Sequence, residues 1–201
     1  ALLAHWIPAV AVDDAGLAYA ALIPRDTTGL TITNDWSGFG QRTTASGSVE
    51  LNQGVVREKY VVPIYKALER PTPAGAISQF IQAAVDAGIA RGAIQETIDY
   101  VKSHARPWID SGLEKASDDP YTIANIGELK IKLRAAEAVL DLAGDAIDEA
   151  IAQTNEETVA QATLLVAEAK ALTTEIAILA SNKLFELSGA RSTLQQLNLD
   201  R

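Results

Sequence analysis

The sequence predicts an α+β chain in which a partial antiparallel β-domain over residues 1–70 precedes an antiparallel four-helix bundle over residues 71–201. Three observations carry that reading. Composition changes at Arg70: residues 1–70 hold 6 basic and 7 acidic side chains, and residues 71–201 hold 11 and 19. The first part contains short runs rich in Val, Ile, Thr and aromatics, separated by turn residues, as strands do. The second part repeats apolar residues three and four apart and has no proline after Pro120, as packed helices do.

In chain order, the expected strands are Trp6 to Val12, Leu17 to Ile23, Leu30 to Thr33 and Ser48 to Leu51. Asp13-Asp14-Ala15-Gly16 joins the first two as a hairpin turn, and Pro24-Arg25-Asp26 turns the chain before the third. Four short strands beginning at the first residues make a poor independent sheet, so the sheet is expected to be incomplete within this chain. A helix follows from about Ala74 to Ala105, with Ile77, Phe80, Ile81, Ala84, Ile94, Ile98 and Val101 as its apolar residues. Gly88 and Gly92 each cost it roughly 1 kcal/mol relative to Ala, and their spacing points to close approach by another helix. Asp119 is a good N-cap with Pro120 at the first helical position. The stripe Ile126, Leu129, Leu133, Ala136, Leu140, Ala143 and Ile147 then suits bundle packing. Thr154 and Glu157 read as a capping box for a helix with the stripe Val159, Ala162, Val166, Ala169, Thr173, Ile176, Ala180 and Leu184. Gly189 is its expected C-cap, and Ser192-Thr193 is expected to open a fourth helix shortly before Arg201.

Bulk properties narrow the function. A net charge of −9 opposes nucleic acid, whose phosphates need a basic surface, and opposes docking on an anionic membrane. With 48% hydrophobic and 21% charged residues, the chain can bury a core. The absence of cysteine removes disulfides, thiolate nucleophiles and cysteine metal sites together. The apolar start has no preceding positive region and soon meets His5, Trp6 and Pro8, unlike a signal peptide. The expectation is a soluble, cytoplasmic protein.

Motifs of known chemistry are few. His5 and His104 belong to no metal-binding pattern, so no metal ligands are assigned. Asp141, Asp145, Asp148 and Glu149 read as a solvated face, because metal ligands in bundles project inward. No P-loop or Gly-x-Ser-x-Gly elbow occurs, and Gly38-Phe39-Gly40 lacks the third glycine of a dinucleotide fingerprint. Three segments are still unusual. Asp35 to Gly47 holds Trp36 and Arg42 in a glycine-rich connection, either an irregular turn with a packed indole or a ligand-facing loop. Arg106-Pro107-Trp108 ends a helix with a cation beside an indole; Arg106 either complements the helix dipole or meets a ligand. Ser188 to Ser192 is either a tight helix connection or a place where small residues admit a ligand.

Taken together, these segments resemble the acyl-CoA dehydrogenase superfamily, and most of all its flavin-dependent monooxygenase branch of sulfur-acquisition and dibenzothiophene-monooxygenase-like enzymes. Asp35-Trp36-x-Gly38-x-Gly40-Gln41-Arg42-x-Thr44-Ala45-Ser46-Gly47 is similar to that branch's middle-domain signature. Pro71 to Gly75, Ala90-Arg91-Gly92-Ala93, Ala105-Arg106-Pro107-Trp108, Asp118-Asp119-Pro120-Tyr121 and Leu184 to Thr193 continue the resemblance over essentially the whole chain. It implies an N-terminal helical domain, a middle β-domain and a C-terminal four-helix bundle, assembled as a homotetramer, with the first domain and the catalytic end segment lying outside this chain.

The resemblance also implies a flavin: FMN on the monooxygenase pattern, delivered reduced by a separate flavin reductase, or FAD on the dehydrogenase pattern. Trp36 would line the flavin or substrate pocket, Arg106 would meet flavin phosphate with Trp108 beside it, and Gly189, Ala190, Arg191 and Ser192 would supply small-residue and polar contacts. No catalytic acid or base is assigned. On the resemblance, acyl-CoA dehydrogenases carry their glutamate either beyond this chain's end or near the start of the first bundle helix, and at the latter place this chain has Thr72, Pro73, Ala74 and Gly75. The expected function is a flavin-dependent monooxygenase acting on a small organosulfur compound. The alternatives are an FAD-dependent acyl-CoA dehydrogenase and a non-catalytic helical oligomerisation module.

Overall fold

A computed structural model describes residues 2–38, 41 and 43–199. The chain divides into two compact units, Ala1–Arg70 and Pro71–Arg201.

In the first unit, β1 (Trp6–Val12) and β2 (Ala18–Pro24) form an antiparallel hairpin in the register Trp6↔Pro24 to Val12↔Ala18. The turn closes as its residues require. Asp13 Oδ1 accepts from the backbone N–H groups of Ala15 and Leu17, and Gly16 adopts φ +80°, which favours glycine. β3 (Leu30–Ile32) and β4 (Val49–Leu51) pair antiparallel as a separate two-stranded sheet. A two-residue β5 (Val61–Val62), too short to leave a periodic signal, pairs with β2 and gives the order β1-β2-β5. Ile7 and Ile23 are buried, with Trp6 edge-on to Tyr60 nearby. A single-turn helix α1 (Tyr65–Leu68) ends the unit.

The second unit is built on α2 (Ala74–Ser103), α3 (Pro120–Ala152) and α4 (Glu156–Ser188). α3 runs antiparallel to both neighbours: Arg91 Nε donates to Glu137 Oε1 at 3.0 Å, whereas Tyr121 at the start of α3 meets Glu186 at the end of α4. α2 and α4 run parallel, linked by Lys170 with Gln79 and by Thr174 Oγ1 donating to Asp86 Oδ2 at 2.7 Å. The C-terminal ends of α2 and α4 therefore lie at the same end of the bundle.

The stripes of α3 and α4 face the core as their periodicity requires, with Leu129, Leu133 and Ala136 meeting Ile176, Ala180 and Leu184 in one cluster. A second cluster holds Ala76, Ala143, Ile147, Ala162 and Val166. α2 differs from its expected face. Ile81 and Ala84 are exposed, and Ala76, Ala83, Ala87 and Ala90 are buried instead. This helix has apolar residues on two faces, and the alanine face permits the closer approach.

Asp119 caps α3 as expected, its carboxylate accepting from Thr122 N and Thr122 Oγ1. The cap of α4 falls one residue later than expected. Asn155 Oδ1 accepts from Glu157 N and Thr158 N, Thr158 Oγ1 accepts from Asn155 N, and Thr154 bonds back to Ala150. A Cβ at Gly88 or Gly92 would meet nothing within 4 Å, so among the described residues no other helix of this chain makes the close approach there. Among the described residues no fourth long helix opens at Ser192-Thr193; Ala190–Thr193 and Gln195–Leu197 are short 3-10 turns, and Leu199 packs against the core.

Candidate functional site

The end of the bundle where α2 and α4 finish carries a groove of about 560 Å3. Tyr100, His104, Arg106 and Trp108 line one side, and Glu186, Ser188, Gly189, Ala190 and Arg191 line the other. Five of the seven site residues expected from sequence thus meet here: Arg106, Trp108, Gly189, Ala190 and Arg191.

Local chemistry explains the arrangement. α2 ends with His104 as its C-cap, and Pro107 lacks the N–H that would continue it, so Arg106 and Trp108 lie in the irregular exit that follows. Trp108 is 74% exposed, not the behaviour of a core indole. α4 stops at Gly189, whose φ of +76° allows the chain to reverse. Ser192 does not line the groove. It is buried under the turn, where its N–H and hydroxyl both donate to the Gly189 carbonyl, at 3.0 and 2.6 Å, and hold Ala190 and Arg191 in place.

The groove brings two guanidinium groups together. Neither the Arg106 nor the Arg191 guanidinium has a hydrogen bond or ion pair among the described residues, although acidic side chains outnumber basic ones in the chain. Glu186, the acid at the rim, is already engaged. Lys183 Nζ and Tyr121 Oη donate to its Oε1 at 2.7 and 2.6 Å, and these hydrogen bonds, the lysine's first, hold its carboxyl below the usual range. The same pairing raises Lys183. Two guanidinium forks without partners among the described residues, beside a carboxylate already bonded to Lys183 and Tyr121, suit an anion able to accept bidentate hydrogen bonds. Ser188, 6% exposed, is the described residue whose buried hydroxyl lacks any partner, and it too belongs to the groove.

Trp36 belongs to the first unit. Its indole is 37% exposed, and Nε1 donates to the Gln41 carbonyl at 2.9 Å, an oxygen that also accepts from Thr44 N and Oγ1. Asp35 closes the loop by accepting from Ser48 N and Oγ at 2.7 Å each, which lowers its carboxyl from the ordinary value. At Gly47 a Cβ would meet the Thr33 carbonyl oxygen at 2.4 Å, so the loop requires glycine there. Phe39, Gly40 and Arg42 of the glycine-rich segment lie outside the described residues. Asp141, Asp145, Asp148 and Glu149 are exposed on α3, and no cluster of metal-ligating residues occurs among the described residues.

Sequence reasoning missed Tyr100, His104 and Glu186 as groove residues, whereas Ser188 belongs to the Ser188 to Ser192 segment it had singled out. Their signal was present only as spacing: they occupy the last turns of two helices whose parallel alignment brings those ends together.

Comparison with known proteins defines the class. Residues 80–201 match the family model described as "Acyl-CoA dehydrogenase, C-terminal domain", and the chain belongs to that family. It is 34% identical to a dibenzothiophene monooxygenase of Mycolicibacterium goodii over 92% of this chain and 47% of that protein. It is 32% identical to a probable FMNH2-dependent monooxygenase, SfnC, of Pseudomonas putida over 96% of this chain and 51% of that protein. Among solved structures, FMN-bound TdsC from Paenibacillus sp. A11-2 superposes with a TM-score of 0.88 at 33% identity, covering 99% of this chain and 54% of its own. Methanesulfinate monooxygenase MsuC from Pseudomonas fluorescens gives 0.84 at 31% identity, covering 98% of this chain and 52% of its own. The chain spans about half the length of the curated relatives it matches.

Proposed function

We propose that this chain is the β-domain (1–70) and C-terminal bundle (71–201) portion of a reduced-FMN-dependent monooxygenase that oxidises a small organosulfur compound, with the groove at the bundle end holding the flavin phosphate. The observation that carries the proposal is the pairing of Arg106 and Arg191, both without partners among the described residues, in one groove of an acidic chain. The groove's donor set fits a phosphate ester, and Trp108 offers an apolar face beside it. Similarity to FMNH2-dependent and dibenzothiophene monooxygenases supports FMN as the flavin and monooxygenation as the reaction.

Reduced flavin, when bound, supplies the electrons with which oxygen is activated. The residues of this chain bind and orient. Arg106 and Arg191 neutralise and position the phosphate, the Gly189 turn presents Ala190 and Arg191, and Trp36 offers an indole face to flavin or substrate. The dehydrogenase alternative has less support, because the similar proteins at 32–34% identity are described as monooxygenases. We further propose a cytoplasmic homotetramer served by a separate flavin reductase.

The decisive experiment is a titration of FMN and riboflavin into the full-length protein and its Arg106 variants. Hydrogen bonds to charged partners contribute roughly 1.5–3 kcal/mol, so Arg106→Ala is expected to weaken FMN binding about ten- to a hundredfold and riboflavin binding little. Arg106→Lys should restore part of the loss, since an ammonium cannot reproduce the guanidinium fork. If Arg106 only complements the helix dipole, all three proteins bind FMN alike and Lys fully restores stability.

A further inference from the structure

We propose that His104 is a third anion-contacting group of this groove and takes up a proton when a phosphate ester binds, an inference that rests on the groove being the flavin-phosphate site. Ser103 Oγ donates its one hydrogen to the Asp99 carbonyl at 2.5 Å. The same oxygen lies 2.6 Å from His104 Nδ1. Its hydrogen is already committed, so Ser103 can only accept from the ring, and the proton of this bond resides on Nδ1. Neutral His104 is therefore fixed as the Nδ1–H tautomer, and its Nε2 carries a bare lone pair.

Stacking holds the ring in that position, with the Tyr100 and His104 ring centroids 5.2 Å apart and 29° between planes. No hydrogen bond engages Nε2 among the described residues, and His104 lines the groove together with Arg106 and Arg191. The groups that face it there are Tyr100 from its own helix, Arg106 from the exit, Glu186 from α4 and Arg191 from the following turn. The two arginines oppose a further positive charge. Glu186 favours one only weakly, because Lys183 and Tyr121 already hold its carboxylate. A phosphate oxygen facing the Nε2 of a neutral ring sets lone pair against lone pair, which is repulsive, whereas protonation turns Nε2 into a charged donor. Imidazoles as a class change charge between pH 5 and 8, so the proton comes from solvent under ordinary conditions.

The test is calorimetry of FMN binding near pH 7 in two buffers of different ionisation enthalpy, which counts protons exchanged per ligand. The full-length wild type is compared with His104→Phe, Ser103→Ala and Arg106→Ala. His104→Phe keeps a ring to stack on Tyr100 and removes Nε2. Wild type should take up a fraction of a proton. His104→Phe should take up none, or release a little through the phosphate's own second ionisation near pH 6. The affinity advantage of wild type over His104→Phe should grow roughly tenfold on going from pH 8 to pH 6. Ser103→Ala frees the tautomer, so the neutral ring can donate from Nε2; affinity should hold while proton uptake falls. Equal proton numbers in wild type and His104→Phe, with binding still dependent on Arg106, would overturn the His104 proposal alone. No FMN binding by wild type, or wild-type affinity in Arg106→Ala, would overturn the phosphate site and this proposal with it.

Discussion

The indole of Trp36 lies over Gly38, where an added Cβ would meet the ring at 2.4 Å, and its N–H is pinned by the Gln41 carbonyl. A residue held this firmly yet 37% exposed is suited to present a flat apolar face. Trp36→Ala is expected to reduce flavin or substrate affinity more than it lowers the melting temperature. Extensive unfolding with unchanged affinity in the folded fraction would assign the indole to the β-unit core instead. Asp119 permits a pH prediction at the same scale. Hydrogen bonds from the Thr122 hydroxyl and N–H lower its carboxyl from the ordinary value. A depressed folded pKa means the cap's contribution is complete above the unfolded value of about 3.9 and is lost as pH falls through the folded value. The difference in melting temperature between wild type and Asp119→Ala should therefore be constant near neutrality and shrink in acid. Asp119→Asn, which caps without titrating, should keep its advantage over Ala at every pH.

At the scale of the element, α2 has two small-residue faces with different roles. Ala83, Ala87 and Ala90 are buried against the bundle, whereas Gly88 and Gly92 open outward. Ala90→Leu forces extra volume into a close contact and should cost roughly 1–3 kcal/mol in chemical denaturation. Gly88→Ala adds a methyl where nothing lies within 4 Å and should stabilise the chain by about 0.5–1 kcal/mol. Stabilisation by Ala at position 88 accompanied by loss of assembly would identify that face as an intersubunit contact. The Asn155 cap offers a simpler check: Asn155→Ala should cost about 1 kcal/mol, more than removing Thr154, which does not cap α4.

For the whole molecule, the outward side of α2 presents Ile81, Val85 and Ile89, which are 55, 52 and 48% exposed and lie on one helical face beside the glycines. Apolar stripes of this kind on a bundle are the usual material of subunit interfaces. Light scattering of the full-length protein is expected to give a multiple of the protomer mass at micromolar concentration. A well-folded monomer would remove both the proposed tetramer and the role assigned to this face.

The sequence alone determined the change from strands to helices at Arg70, the Asp13–Gly16 turn, the caps at Asp119 and Gly189, and the core stripes of α3 and α4. All of these rest on interactions between residues a few positions apart, and local periodicity and hydrogen-bonding chemistry record them directly. Arg106 and Trp108 stood out in the sequence because a Pro-ended helix exit with a cation and an indole is locally unusual, and because the resemblance covered them; their role in the proposed site awaits the Arg106 titration. What only the tertiary structure decided is which chain ends meet. The parallel alignment of α2 and α4 places residues 100–108 beside residues 186–191 and leaves Arg106 and Arg191 together without partners among the described residues. It also decided that α2 buries its alanines rather than Ile81 and Ala84, and that Ser192 locks a turn instead of lining the groove. These outcomes depend on how closely two helices can approach and on where each hydroxyl finds its acceptor, quantities set by partners tens of residues away and therefore absent from any local pattern.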